Sequence, residues 1–201
     1  MIVPAQNAPA SWTLLDSLPA GKWWRVLAVL VGAGVITFGA QVSTPSSGDV
    51  PGTLQPLAVL LVGATLGPWL GALAVAVYVA AGALGAPVFA GGASGFGGPT
   101  SGYFIGFIVA AAVVGLVISR GRTHPVSAAG PRVIGGMLAG LAVIYIGGIA
   151  WLMGSVGLTI SESMSAGFNP FIVGDLFEAL IASAIVLALI SRYAPKAVAE
   201  A

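Results

Sequence analysis

LQPLAVLLVGATLGPWLGALAVAVYVAAGAL occupies residues 54–84 and carries no charged side chain. As a single helix, its 31 residues would run roughly 46 Å at 1.5 Å per residue. A bilayer core is about 30 Å thick, so the stretch is long for one span and short for two. Gly67-Pro68 stands in its middle. Proline disfavours helix at the residue before it and brings no N–H of its own. The stretch is therefore one long helix or two short ones folded back at Gly67-Pro68, and the choice sets the topology of the whole chain.

The surrounding sequence is of the same kind. Of 201 residues, 58% are hydrophobic and 6% charged, with a mean hydropathy of +1.04. Soluble domains carry about 25% charged residues, and so small a charged fraction cannot coat one. The chain reads as an integral membrane protein built as one all-α bundle. Trp23–Val42, Thr100–Ser119, Val133–Met153 and Phe171–Tyr193 each have the length of a span. The first is longer than the roughly 7–15 apolar residues of a secretory signal core. It reads as a retained helix after a cytoplasmic tail, residues 1–22. The bundle then covers 23–193, with a second cytoplasmic tail at 194–201. There is no cysteine, which removes disulfides and thiolate metal sites.

Charge placement decides between one helix and two. Lys22 and Arg25 precede the first span, Arg120, Arg122 and Arg132 follow Thr100–Ser119, and Arg192 and Lys196 end the chain. Cytoplasmic loops collect Lys and Arg. Two helices in Leu54–Leu84 put all seven cations on one face; a single helix would strand three outside. The expectation is six transmembrane helices with both termini cytoplasmic. The external loops are then Ser43–Gly52, Gly85–Pro99 and Gly154–Asn169, and none holds Lys or Arg.

The second of these loops, with the helix start that follows, is GAPVFAGGASGFGGPTSGY (85–103), with seven glycines in nineteen residues. Irregular backbone at membrane depth survives only where protein buries it or water wets it. Packing between helices would explain it, and so would a role over a pocket. The last helix holds Asp175 and Glu178, three apart and on one face. Charged groups inside a span are costly and usually functional. Counted from Pro170, Asp175 lies about 7 Å deep, as a pocket opening outward beneath the loop requires. No Lys or Arg sits in a helix centre to pair with the acids. A ligand with N–H groups would satisfy them, and so would Asn169, Tyr103, Tyr145 or Tyr78 donating from the side.

At the start of the second helix, Thr53 suits a helix cap and Gln55 can both donate and accept at a pocket mouth. Trp69, Tyr78, Phe89, Phe96, Tyr103, Trp151 and Phe171 fit an interfacial belt as well as they fit pocket walls. Ala28 and Gly32 are four apart on the first helix, the small-xxx-small spacing that lets another helix approach. Catalysis finds no support. GASG (92–95) resembles a protease serine motif, yet the only histidine, His124, falls in the linker on the opposite face. One histidine without cysteine makes no metal site. The glycine run lacks the Lys-Ser/Thr ending of a P-loop, so any ATP would sit on another subunit. A channel would need a polar stripe along a helix, and none is evident.

Four segments together resemble the BioY family, the biotin-binding S components of energy-coupling factor transporters. They are VPGTLQPLAVLLVGATLG (50–67), GALGAPVFAGGASGFGGPTSGYFIGFIVAA (82–111), GLAVIYIGGIAWL (140–152) and NPFIVGDLFEAL (169–180). The resemblance spans about Arg25 to Ser183. It implies a prokaryotic cell-membrane protein that captures biotin outside and delivers it to the cytoplasm. It further implies a coupling transmembrane subunit, docked on the small residues of the first helix, Ala28 and Gly32, and two ATPase subunits. No cofactor is implied on this chain. On this reading Asp175 accepts from the ureido N–H groups or holds the residue that does. Tyr103, Trp151 and Phe89 wall the thioether ring. The valerate carboxylate meets backbone N–H groups of the glycine loop, Gly91 and Gly92 among them, and the loop acts as a lid between Pro87 and Pro99. Thr53, Gln55, Asn169 and Tyr145 complete the polar rim.

One residue departs from the pattern. The family carries a lysine at the third position after the aspartate of GD, where this chain has Glu178. Either Glu178 is protonated, or it takes a second ligand N–H, or the ligand differs. The last choice leaves an S component for another small vitamin or a biotin precursor as the alternative.

Overall fold

A computed structural model describes residues 21–44, 50–119 and 129–193. Residues 1–20 of the expected N-terminal tail, the whole C-terminal tail at 194–201 with Lys196, the linker cations Arg120 and Arg122, and His124 lie outside the described residues, while Lys22, expected at the end of the first tail, opens α1. Among the described residues the order is α1 (Lys22–Gln41), β1 (Ser43–Thr44), β2 (Gly52–Thr53), α2 (Gln55–Ala83), a 3-10 turn (Ala90–Gly92), α3 (Ser101–Ser119), α4 (Ala129–Gly154), α5 (Ile160–Gly167) and α6 (Ile172–Tyr193). Five of these helices are long and apolar enough to cross a membrane.

The deciding stretch doubles back. Gly67 has φ 79° and ψ 179° inside α2, a backbone state open essentially to glycine alone. Gln55 Nε2 donates to the Tyr78 hydroxyl at 2.8 Å. In a straight helix these residues would stand roughly 35 Å apart. The two arms, 55–66 and 68–83, lie side by side, so close that a Cβ on Gly71 would come within 2.9 Å of Gly63 Cα. The turn itself rests on α3, where a Cβ on Gly115 would meet Gly67 C and Pro68 N at 2.5 Å.

The other contacts follow from which faces are small. Val29, Gly32, Ala33, Ile36, Gly39 and Ala40 form the buried face of α1. A Cβ on Gly32 would lie 3.0 Å from Ala74 and 3.1 Å from Leu66, so Gly32 is packed into the α2 hairpin. It is not available on the outer surface for a coupling subunit, and Ala28 is only half-exposed. A small residue admits any neighbouring helix, and at Gly32 the α2 hairpin of the same chain fills the place. Beyond this face α1 presents Leu27, Leu30, Val31 and Phe38 outward, and α6 presents Phe177, Leu180 and Ile181. Apolar faces this broad mark a surface that meets lipid.

The segment 154–169 differs from the loop expected. It contains α5, opened by a capping box in which Thr159 and Glu162 satisfy each other's backbone N–H. The T-x-x-E spacing at 159–162 was the available sequence signal. The short pair β1–β2 is antiparallel, with Ser43 opposite Thr53, and delivers the chain to the start of α2.

Candidate functional site

Where the start of α2 converges with α3, α4 and α6 below the glycine loop, they leave a cavity of about 400 Å³. That lies within the range of small-ligand pockets, about 300–1,000 Å³. Its floor and sides are apolar. Phe89 and Phe104 stack at 4.2 Å, and Phe89 meets Tyr78 edge-on at 5.4 Å. Phe107, Ile144 and Phe171 extend this wall. The Phe89 ring occupies the notch that Gly82 leaves by having no side chain.

The polar groups are few and mostly already oriented. Asp175, from the first turn of α6, lines the cavity and is 9% exposed. The Tyr145 hydroxyl donates to its Oδ2 at 2.6 Å, a length typical of O–H donation to a carboxylate. Phe168 meets the Tyr145 ring edge-on at 4.7 Å and fixes its angle. On the opposite side Thr53 Oγ1 donates to Gln55 Oε1 at 2.9 Å, and Gln55 Nε2 passes the chain on to Tyr78. Tyr103 presents its ring to the cavity, while its hydroxyl donates to the Gly167 carbonyl at 2.6 Å, at the end of α5. No Lys or Arg lines the cavity among the described residues.

The loop closes the top and is tied down at several points. Gln41 Nε2 donates to the Phe89 carbonyl at 3.0 Å. The Gly95 N–H reaches the Gly82 carbonyl at 2.8 Å. The Gly97 N–H reaches Ser101 Oγ at 2.8 Å. Trp151 Nε1 donates to the Gly98 carbonyl at 3.0 Å, with its ring edge-on to Phe96 at 5.8 Å. Gly85, Gly91, Gly92, Gly95 and Gly97 all have positive φ. That is why the turn takes glycine so densely.

Of the aromatic set, Phe96 and Phe171 line this cavity, and of the eleven residues expected to meet the ligand, Asp175, Gln55, Thr53, Phe89, Tyr103 and Tyr145 are brought together around it. The other five are not. Trp151 holds the loop from outside the lining set. Gly91 and Gly92 sit exposed on the outer side of the 3-10 turn, and Gly92's N–H is taken by the Phe89 carbonyl. The glycines of this loop that reach the cavity are Gly95 and Gly98. Asn169 is exposed in the turn before α6, its N–H closing on Met164. Glu178 is buried, one turn deeper than Asp175, and accepts from the Leu57 N–H at 2.9 Å. Sequence reasoning missed Phe104 and Phe107, which lie on a uniformly apolar helix where no pattern separates the cavity face from the rest.

These features define a multi-pass helical membrane protein that encloses a small, mostly apolar ligand chamber with one oriented acid. Comparison with known proteins narrows the class. A model described as the BioY family matches residues 15–195. A biotin transporter BioY of Rhodobacter capsulatus is 40% identical over 179 residues, 84% of this chain and 93% of its own. A probable biotin transporter BioY of Pyrococcus horikoshii is 40% identical over 167 residues, 82% of this chain and 93% of its own. A crystal structure of the S-component for biotin from an ECF-type ABC transporter matches with a TM-score of 0.74 at 24% identity, over 85% of this chain and 92% of that one. The last likeness carries the fold. The chain belongs to the BioY family.

Proposed function

We propose that this protein is the biotin-binding S component of an energy-coupling factor transporter in a prokaryotic cell membrane. It takes biotin from outside and passes it inward. The two arms of α2 count as separate helices in this reading, which makes six membrane helices with both termini cytoplasmic and the glycine loop external. The observation that carries the proposal is the Tyr145–Asp175 pair, facing an aromatic chamber of small-molecule size. Tyr145 engages only Oδ2, leaving Oδ1 for a ligand donor. The ureido head of biotin offers N–H groups of the required kind, and its fused rings suit the Phe89–Phe104 wall.

The valerate carboxylate belongs on the loop side. With no cation there, hydroxyls and N–H groups of the lining residues Ser94, Thr100 and Ser101 are the available donors. The alternative of another vitamin drew on Glu178. Its carboxylate is engaged by a backbone N–H away from the cavity wall, so it gives that alternative no support. The chain has no nucleotide-binding motif of its own; the reading therefore includes a coupling transmembrane subunit and two ATPases, and no cofactor on this subunit.

The test is to purify the protein in mild detergent, identify any bound small molecule by mass spectrometry, and titrate with biotin. Saturable binding, lost in Asp175→Asn, is expected. Absence of biotin together with no response to added biotin would reduce the family match to a fold.

A further inference from the structure

The first turn of α2 has four N–H positions that no intrahelical carbonyl can serve. Three are accounted for locally. The Gln55 N–H goes to Thr53 Oγ1 at 3.4 Å. Pro56 has none. The Leu54 N–H goes to the Val42 carbonyl at 3.1 Å. The fourth, Leu57, has a buried partner from the far end of the chain, Glu178 Oε2 at 2.9 Å. Glu178 is 5% exposed and stands one turn below Asp175 on α6. A carboxylate at a helix N-terminus also meets the positive end of the helix dipole.

We infer that Glu178 is a positioning residue that caps α2 from α6, and so holds Thr53 and Gln55 at the cavity across from Asp175. The three residues before Leu57 are Leu54, Gln55 and Pro56, so the cap acts within one turn of the polar wall. A lysine at 178 would aim ammonium donors at a backbone donor and at the positive helix end. Restoring the lysine expected from the family pattern should therefore harm this chain.

The affinity arm of the test rests on the proposed biotin reading; the exchange arm does not. Amide hydrogen exchange over 53–60 and biotin affinity are measured on the full chain in detergent for Glu178→Gln, Glu178→Leu and Glu178→Lys. A buried N–H left without its acceptor should exchange about tenfold faster. Leu and Lys should show this and weaken biotin by a similar factor. Gln, whose amide oxygen still accepts, should stay within about threefold of the parent on both readouts. In a Gln55→Ala background, Glu178→Leu should weaken biotin little further, which a purely global loss of stability would not produce. If the Leu variant does not fold, the Gln and Lys pair decides. The inference is overturned if Glu178→Lys exchanges and binds like the parent, or if exchange over 53–60 is unchanged in every variant. A parent protein that binds no biotin overturns the proposed function alone, and the exchange result still decides the cap.

Discussion

Tyr145→Phe removes one oxygen atom and leaves the ring. The Phe ring keeps its edge-on contact with Phe168 at 4.7 Å, so the wall between α4 and α6 is not emptied. What disappears is the 2.6 Å donation to Asp175 Oδ2. Hydrogen bonds to charged groups contribute about 1.5–3 kcal/mol. If that bond orients Asp175 for the ligand, its loss should appear in affinity as about a tenfold to hundredfold weakening, at 1.4 kcal/mol per decade. Calorimetric titration of biotin into the detergent-solubilised protein reads this directly. Tyr103→Phe is the matched control, because it too removes a buried hydroxyl, bonded to the Gly167 carbonyl at 2.6 Å and engaged with α5. It should lower thermal stability as much while changing affinity by less than about threefold. The reasoning fails if Tyr145→Phe binds biotin within twofold of the parent while Asp175→Asn abolishes binding. Asp175 would then act without its tyrosine, and the pair would be packing alone.

Two further outcomes follow from the turn and the loop. Gly67→Ala places a Cβ on a backbone at φ 79°, ψ 179°, which costs about 1–3 kcal/mol. The unfolding temperature in detergent should fall by several degrees, at about 2–4 °C per kcal/mol for a chain of this length; an unchanged temperature would mean that the hairpin turn is not as described. Trp151→Phe keeps an aromatic ring beside Phe96 and loses the 3.0 Å bond to the Gly98 carbonyl, a contribution of about 1 kcal/mol. Stopped-flow release of biotin should be about fivefold faster with its association rate little altered, and equal release rates would show that the loop is not held by Trp151.

The bundle was readable because membrane solvent imposes simple rules. Length, apolar composition and the Gly67-Pro68 break left the reversal open, since backbone bends at depth only at residues that permit it, and the placement of Lys and Arg chose it. The helix limits expected for α1, α3 and α6 fall within one residue of those observed. The start of α4 was placed four residues late, at Val133 where the helix begins at Ala129, because the apolar run begins after Arg132 while the helix does not. α5 was missed for a related reason. ISESMSAG is too polar and too short to register as a span, and its order comes from the Thr159–Glu162 cap and from Ser163 and Gly167 packed beneath the bundle's edge.

The site was legible by residue type and less so by direction. Asp175 and Glu178 were assigned to one helix face, and they do share it, yet three residues also displace them by about 4.5 Å along the axis. That displacement is enough to change neighbours. Asp175 stands level with Tyr145 and the open chamber. Glu178 stands level with the first turn of α2, where a backbone donor waits 121 residues away in sequence. Spacing within one helix cannot report what lies across from it, because the partner is chosen by how two other helices end. The same limit applies to Gly32, whose spacing does not report that the α2 hairpin of its own chain lies against it. In a membrane bundle, then, a buried acid identifies a place where a donor must be supplied. Whether the donor is a ligand or a helix end is decided by depth, and depth is set by the fold as a whole.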